Sequence, residues 1–326
     1  MTTPLLDPTY RLYSPTQATA YAKHRPSPPP ALVSLILDHH AATGGKTDTL
    51  LDVGCGPGMA TRVFAPHFGV AIGSDAGESM IRVASELGGV TATGAPVRWI
   101  VSAAEEIDRI SGVGEGSVDL VIAAYAAHWF DMPAFWTAAA RILKPGGTVA
   151  LWTGFRDTRV LPKSPEEAKV RAIFERFHEE VLERYAVAGS QITRDGYRNL
   201  TMPWGVPSSE LSEAFEKDSF LRRELDRDDL AAMGGSKEGN VEETAKKVAA
   251  DPLATTIWKR VENFLETLDP VTRWREAHPQ LAGTEEDCVR VLVRETVEAV
   301  KEGKEGIDFR NLLVGRKTVV LCVKRV

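Results

Sequence analysis

The sequence predicts an α/β fold, a doubly wound and mostly parallel sheet with helices on both faces. Three observations predict it. Apolar runs of four to six residues alternate with helical stretches across residues 49–152, as strands covered on both faces do. The run Leu50-Leu51-Asp52-Val53-Gly54-Cys55-Gly56-Pro57-Gly58 reads as strand, glycine turn and helix start. A second strand ends at Ser74-Asp75, which puts a carboxylate 21 residues after Gly54. That is the separation at which an acidic residue beyond a glycine turn accepts the hydroxyls of a bound ribose.

Taken in order, residues 1–30 carry proline and tyrosine and are expected to form an irregular arm. Leu32, Leu35 and Ile36 space a helix over 31–42. Strands are then expected at 49–53, 70–74, 97–101, 118–123 and 147–152, with helices at 58–68, 78–87, 104–110 and 133–143 between them. Lys144-Pro145-Gly146-Gly147 is expected to stop the last helix and turn into the strand. From Phe155 the pattern changes. Val170, Ile173, Phe174, Phe177 and Val181 form one stripe of a charged helix over 166–185. Residues 187–217 read as loops, 220–225 as a short strand, and the stretch with Gly234-Gly235-Ser236 as a surface segment. Helical patterns at 253–268, 271–277 and 285–301 precede a buried strand at 317–324. The domain plan is an arm (1–30), a cofactor-binding domain (31–155), a substrate-side cap (156–302) and a closing segment (303–326).

Composition bounds the function. The 326 residues are 43% hydrophobic with a net charge of −6, enough for a sizeable core and no general attraction to nucleic acid or an anionic membrane. Cys55, Cys288 and Cys322 are odd in number and far apart, so neither a disulfide framework nor a metal site is expected, and a reducing, cytoplasmic setting is. No secretory signal or membrane-spanning run is visible. The partner expected is a small molecule, with the oligomeric state left open.

The glycine spacing narrows the cofactor. Nicotinamide sites use G-x-G-x-x-G/A, whereas here the third glycine is Gly58, one position early, and Met59 takes the expected glycine place. In the setting L-D-V-G-C-G-P-G this resembles motif I of the class I S-adenosylmethionine-dependent methyltransferases. The resemblance implies a Rossmann-like, seven-stranded, mostly parallel sheet in which residues 318–323 return as an antiparallel strand, with a helical cap inserted before it. It also implies S-adenosylmethionine held by Asp52, Gly54, Cys55, Gly56, Gly58, Asp75, Ala76, Met80, Ala103, Ala104 and Tyr125. Tyr21 and Arg25 of the arm are expected to join them, Arg25 as a partner for the methionine carboxylate. Relatives place an aspartate where Ala103 stands, so the backbone of Ala103 and Ala104 or the hydroxyl of Ser102 is expected to serve instead.

A second run, His128-Trp129-Phe130-Asp131, leaves the carboxyl end of a strand. With Tyr10-Arg11-Leu12-Tyr13-Ser14, Tyr21-Ala22-Lys23-His24-Arg25-Pro26-Ser27 and Gly147-Thr148-Val149-Ala150-Leu151-Trp152 it is similar to the fungal trans-aconitate-methyltransferase-like group, which esterifies a carboxylate of a small polycarboxylic acid. Tyr13, His128, Trp129, Trp152 and Trp204 are the expected substrate residues, and cap arginines would suit a polycarboxylate. His128 is the catalytic candidate. Its ordinary pKa of ~6.5 suits a general base for a hydroxyl or amine acceptor. A carboxylate acceptor needs no proton removed, and His128 would then only position it. Two alternatives stay open: O- or N-methylation of a fungal secondary metabolite, and a protein that binds the methyl donor without turning it over.

Overall fold

The computed structural model describes residues 11–156, 164–233, 255–302 and 316–326. Its strands are β1 (Thr49–Val53), β2 (Val70–Asp75), β3 (Arg98–Val101), β4 (Val118–Ala124), β5 (Leu143–Arg156), β6 (Phe215–Leu225) and β7 (Arg316–Arg325). They form one seven-stranded sheet in the order β3-β2-β1-β4-β5-β7-β6. The first five pair in parallel, and β7 runs antiparallel between β5 and β6. This is the class I methyltransferase arrangement that the sequence led us to expect.

Core residues lie on both faces because the central strands are mostly apolar on both sides, with Asp52 and Asp119 as buried exceptions. On one face Leu50, Leu120, Ile122, Ala150 and Trp152 pack against α2 (Pro30–Ala42) and α3 (Met59–Phe64) through Leu32, Ile36 and Phe64. On the other, Leu51, Val121, Val149 and Leu151 meet Phe135, Trp136 and Ile142 of α5 (Met132–Ile142). Helix α4 (Glu78–Leu87) follows β2 and covers the sheet near β3.

Several elements depart from the sequence reading, among them the helices Ala188–Arg194 and Ser209–Ala214 in the loop-rich span 187–217. The arm is not irregular: α1 (Pro15–His24) begins with a capping box in which Ser14 Oγ accepts from the Gln17 N–H and the Gln17 side chain accepts from the Ser14 N–H. Pro15 stands at the first helical position, where its missing N–H is not needed. Strand β5 starts at Leu143, because the Lys-Pro-Gly-Gly stretch is absorbed as a register shift against β4 rather than ending the strand pairing. Strand β6 is longer than expected and belongs to the sheet, so the span 156–302 is not all cap.

The cap proper is built from α6 (Pro165–Phe177), which continues as a π-helical turn (His178–Glu183), α7 (Ala188–Arg194), α10 (Thr255–Leu265), α11 (Asp269–Ala277) and α12 (Cys288–Glu302); the short helices α8 (Ser209–Ala214) and α9 (Arg227–Ala232) flank β6. The apolar stripe read from the sequence is its core: Val170 packs with Trp258 and Ala299, and Phe177 and Val181 with Leu265, Val271 and Leu292. The Gly234-Gly235-Ser236 segment and the first part of the closing span, 303–315, lie outside the described residues.

Candidate functional site

The glycine turn joins β1 to α3 with Gly54, Gly56 and Gly58 all in the left-handed region, at φ 67°, 54° and 82°. Each has a separate reason. A side-chain carbon on Gly54 would lie 2.6 Å from the Cβ of Ala126, and one on Gly58 2.4 Å from the ring of Trp99. One on Gly56 would meet nothing within 4 Å, so this backbone edge looks onto open space. Cys55 is buried, and burial pushes its thiol well above the ordinary range, which makes it an inert packing group.

Asp75 ties the turn together. Its Oδ2 accepts from the Gly56 N–H and its Oδ1 from the Gly77 N–H, both at 2.8 Å. A carboxylate has about four acceptor positions, so each oxygen keeps capacity for a further donor such as a ribose hydroxyl. Burial raises the Asp75 pKa, and the two backbone donors oppose that. Asp52 is fully buried one strand back; its Oδ2 accepts from Thr61 Oγ1 at 2.6 Å and its Oδ1 has no partner. Burial lifts its pKa to about 7. An open face over Gly56, a two-oxygen acceptor beside it and an orphaned buried carboxylate oxygen together fit a polar nucleoside cofactor. Ala76 follows Asp75 directly; Ala103 and Ala104 follow β3, whose end is fixed by the Ser102 N–H donating to the Asp75 carbonyl.

The second half of the site leaves β4. Tyr125 is 48% exposed and held at φ 53°, an uncommon conformation for a side-chain-bearing residue. Its ring lies over Gly154, where a Cβ would approach it to 3.3 Å. The rings of His128 and Trp129 meet at a tilt of 47° with centroids 4.7 Å apart, and His128 Nδ1 lies 2.9 Å from the hydroxyl of Tyr197. His128 is half-buried as a residue, and protein surrounds its ring so closely that burial alone lowers its pKa to about 3. It is therefore neutral at physiological pH. Phe130 meets the glycine turn, since a Cβ on Gly54 would lie 3.2 Å from its ring. Asp131 caps α5 by accepting from the Ala134 N–H, and its own N–H donates to Glu105.

The cap reaches this cluster through α7. Gly189 sits so close to it that a Cβ would be 2.7 Å from the His128 carbonyl and 3.0 Å from the Trp129 ring. Next to it, Ser190 donates to Asp269 of α11, which also pairs with Arg273. Tyr13 of the arm closes the circuit: it is buried with Ala18, Met80 and Val83 and hydrogen-bonds Thr272, and burial pushes its hydroxyl up to about 12.

Two expected residues are placed elsewhere. The Arg25 guanidinium donates to the Thr267 carbonyl at 3.0 Å and lies over the rings of Tyr21 and Phe264, joining the arm to the cap. The arm cation whose charge reaches Asp75 is Arg11. Trp152 does not line a pocket: it is fully buried against Phe64 on the α2–α3 face, because its position in β5 points that way. Trp204 stands by β6, edge-on to Phe220, with Lys217 over its ring. Of the cap arginines, Arg194 pairs with Glu183, Arg198 with Glu224, Arg273 with Asp269, and Arg275 with Glu266 and Asp287. Tyr197 and Arg11 are the residues the sequence reading passed over. Among the described residues there is no group of three metal-ligating side chains, and no helix is long and apolar enough to cross a membrane.

Comparisons with known proteins agree with this geometry. Residues 51–151, from β1 to β5, match the family model described as a methyltransferase domain. The chain is 33% identical over 136 residues to a protein of Saccharomyces cerevisiae named as a probable S-adenosylmethionine-dependent methyltransferase, CRG1; the match covers 42% of this chain and 45% of that one. It is 33% identical over 151 residues to the methyltransferase AacuQ of Aspergillus aculeatus, covering 46% and 47%. The chain thus spans about half the length of the curated relatives it matches. A solved structure of a candidate type II methyltransferase from Anaeromyxobacter dehalogenans shares the fold, with a TM-score of 0.51 and 22% identity over 92% of this chain and 96% of that one. Residues 51–151 thus resemble a methyltransferase domain, and the sheet they build has the fold of the solved methyltransferase structure. The methyl donor named for the yeast relative is S-adenosylmethionine.

Proposed function

We propose that the protein transfers a methyl group to a carboxylate oxygen of a small-molecule acceptor. The observation that carries this reading is the packing of His128 and Trp129 between the end of β4 and the cap helix α7, with the exposed Tyr125 ring and the glycine turn adjoining them. S-adenosylmethionine, when bound, supplies an electrophilic methyl on a sulfonium that needs no further activation. Gly56 and Asp75 would hold its nucleoside. The chain's remaining task is to bring the acceptor oxygen into line and keep water out, and orientation alone can supply ~7–11 kcal/mol of a barrier.

A carboxylate acceptor suits the electrostatics. His128 is neutral, with no charged group among the causes of its shift, and a carboxylate is already ionised at neutral pH. Trans-aconitate is the acceptor suggested by the resemblance. The ion pairs of Arg194, Arg198, Arg273 and Arg275 favour an acceptor with fewer charges than a tricarboxylate. The second reading, transfer to a hydroxyl or amine of a fungal metabolite, draws on the likeness to the Aspergillus aculeatus methyltransferase.

Incubation with labelled methyl donor and a panel of mono- and polycarboxylic acids, phenols and amines, with products identified by mass, tests both. A methyl ester is the expected product. Methylated phenol or amine alone would move the assignment to the second reading. Donor binding without any product would make this a binding protein.

A further inference from the structure

We infer that Tyr197 donates its hydroxyl proton to Nδ1 of His128 and so holds that ring as the Nε2–H tautomer, a hydrogen-bond donor toward the methyl acceptor rather than a base. The acceptor's part in this rests on the methyltransferase reading above; the tautomer does not.

The geometry has four parts. The Nδ1···Oη separation of 2.9 Å is a hydrogen bond, and one proton lies in it. An imidazole nitrogen is a much stronger acceptor than a phenol oxygen, so the favoured sharing of that proton has the tyrosine hydroxyl giving it to Nδ1. A neutral imidazole that accepts at one nitrogen carries its proton on the other. His128 Nε2 has no hydrogen-bond partner among the described residues and is not sealed from solvent.

The partner itself is the third part. A histidine base is usually oriented by a group that stabilises the imidazolium formed when it takes a proton. Tyr197 cannot do so by becoming charged: it is 2% exposed, and burial drives its ionisation far above the usual range. No carboxylate stands in its place, since Asp131 is committed to capping α5.

The fourth part is the fixation of the tyrosine. Tyr197 sits at φ 62°, just past α7, with its N–H donating to the Ile192 carbonyl. The same helix presses Gly189 onto the backbone and ring of the 128–129 pair. Cap closure and ring orientation are thus set by one short stretch of chain. An acceptor carboxylate can receive the Nε2–H on one oxygen while its other oxygen supplies the electron pair of the new O–C bond. The sulfur keeps the pair of the broken S–C bond, and no proton changes hands.

Long-range proton–nitrogen correlation spectra of the full-length ¹⁵N-labelled protein distinguish the tautomers directly. The His128 signals are identified by their loss in His128→Gln. Nε2 protonated and Nδ1 bare, unchanged between pH 6 and 8, is the expected result. In Tyr197→Phe the ring should become a mixture of tautomers. A protonated Nδ1 in the wild type, or a ring that gains a second proton in that range, overturns the inference. Kinetics with the carboxylic acid found in the acceptor panel give the second readout. His128→Leu should raise KM roughly 10- to 100-fold, and His128→Gln, which keeps a donor near the same place, should recover much of it. Equal losses in the two variants would overturn the donor role. Failure of the wild type to bind S-adenosylmethionine calorimetrically would instead sink the methyltransferase reading and leave the tautomer standing.

Discussion

Alanine at Gly54 and alanine at Gly56 should fail in different ways, although the two glycines are neighbours in one turn. Both sit at positive φ, 67° and 54°, and a residue with a Cβ loses about 1–2 kcal/mol in that region. At Gly54 the new carbon would also stand 2.6 Å from Ala126 Cβ and 3.2 Å from the Phe130 ring. Neither neighbour is the free end of a long side chain. Overpacking of that kind adds about 1–3 kcal/mol, so Gly54→Ala should lose about 2–5 kcal/mol of stability in all. At Gly56 nothing lies within 4 Å, and only the conformational part, about 1–2 kcal/mol, remains. The methyl group would instead project over the turn, where the nucleoside is expected, and should weaken S-adenosylmethionine binding on the order of tenfold or more. Urea denaturation followed by circular dichroism measures the first quantity and calorimetric titration the second. Equal destabilisation of the two variants, or unchanged affinity in Gly56→Ala, would refute the assignment of the open side of the turn to the cofactor.

Other perturbations follow from the buried carboxylates. Asp52 has a raised pKa, about 7, so the folded state holds its proton more tightly than the unfolded chain. Its contribution is therefore present below the ordinary carboxylate pKa and declines as pH rises to about 7, by up to roughly 4 kcal/mol; Asp52→Asn should flatten that part of the stability–pH curve, and parallel curves would argue against it. Asp75→Ala removes the acceptor of two backbone N–H groups, and calorimetry should show loss of cofactor affinity together with a drop in denaturation midpoint. Affinity unchanged in that variant would put the ribose elsewhere. Asp287, fully buried, accepts from Arg275, Gly283 and Val289, and these donors hold its pKa below the usual carboxylate range. Its contribution is lost as pH falls through that lowered value, and Asp287→Ala should cost the cap about 3–5 kcal/mol at neutral pH, measurable as an early loss of helical signal on heating.

What the sequence disclosed and what it hid divide along a physical line. The glycine turn, Asp75 and the alternation of strands and helices were legible because each rests on local needs: positive φ, close packing and apolar periodicity. The closing strand was legible because an apolar run flanked by lysines has few other places to go. Helix α1 was hidden behind its prolines, although Ser14-Pro15-x-Gln17 is itself a helix-start signal. Tyr197 left no periodic trace at all. It lies in a stretch without regular pattern, and its meaning comes from a contact with a residue 69 positions away. Arg25 and Trp152 show the same limit in reverse. Their chemistry suited a ligand, but a carbonyl and a ring of the cap claimed one and the sheet face claimed the other.

The place of β7 bears on how the chain is made. Thr148 on β5 pairs with Lys324 on β7, so the two halves of that ladder leave the ribosome 176 residues apart. Until residues 316–325 emerge, β5 presents an open strand edge that includes Val149, Leu151 and Trp152. Such edges invite pairing with other chains. During synthesis a nearly complete sheet carries this edge uncovered while the cap residues are still being added.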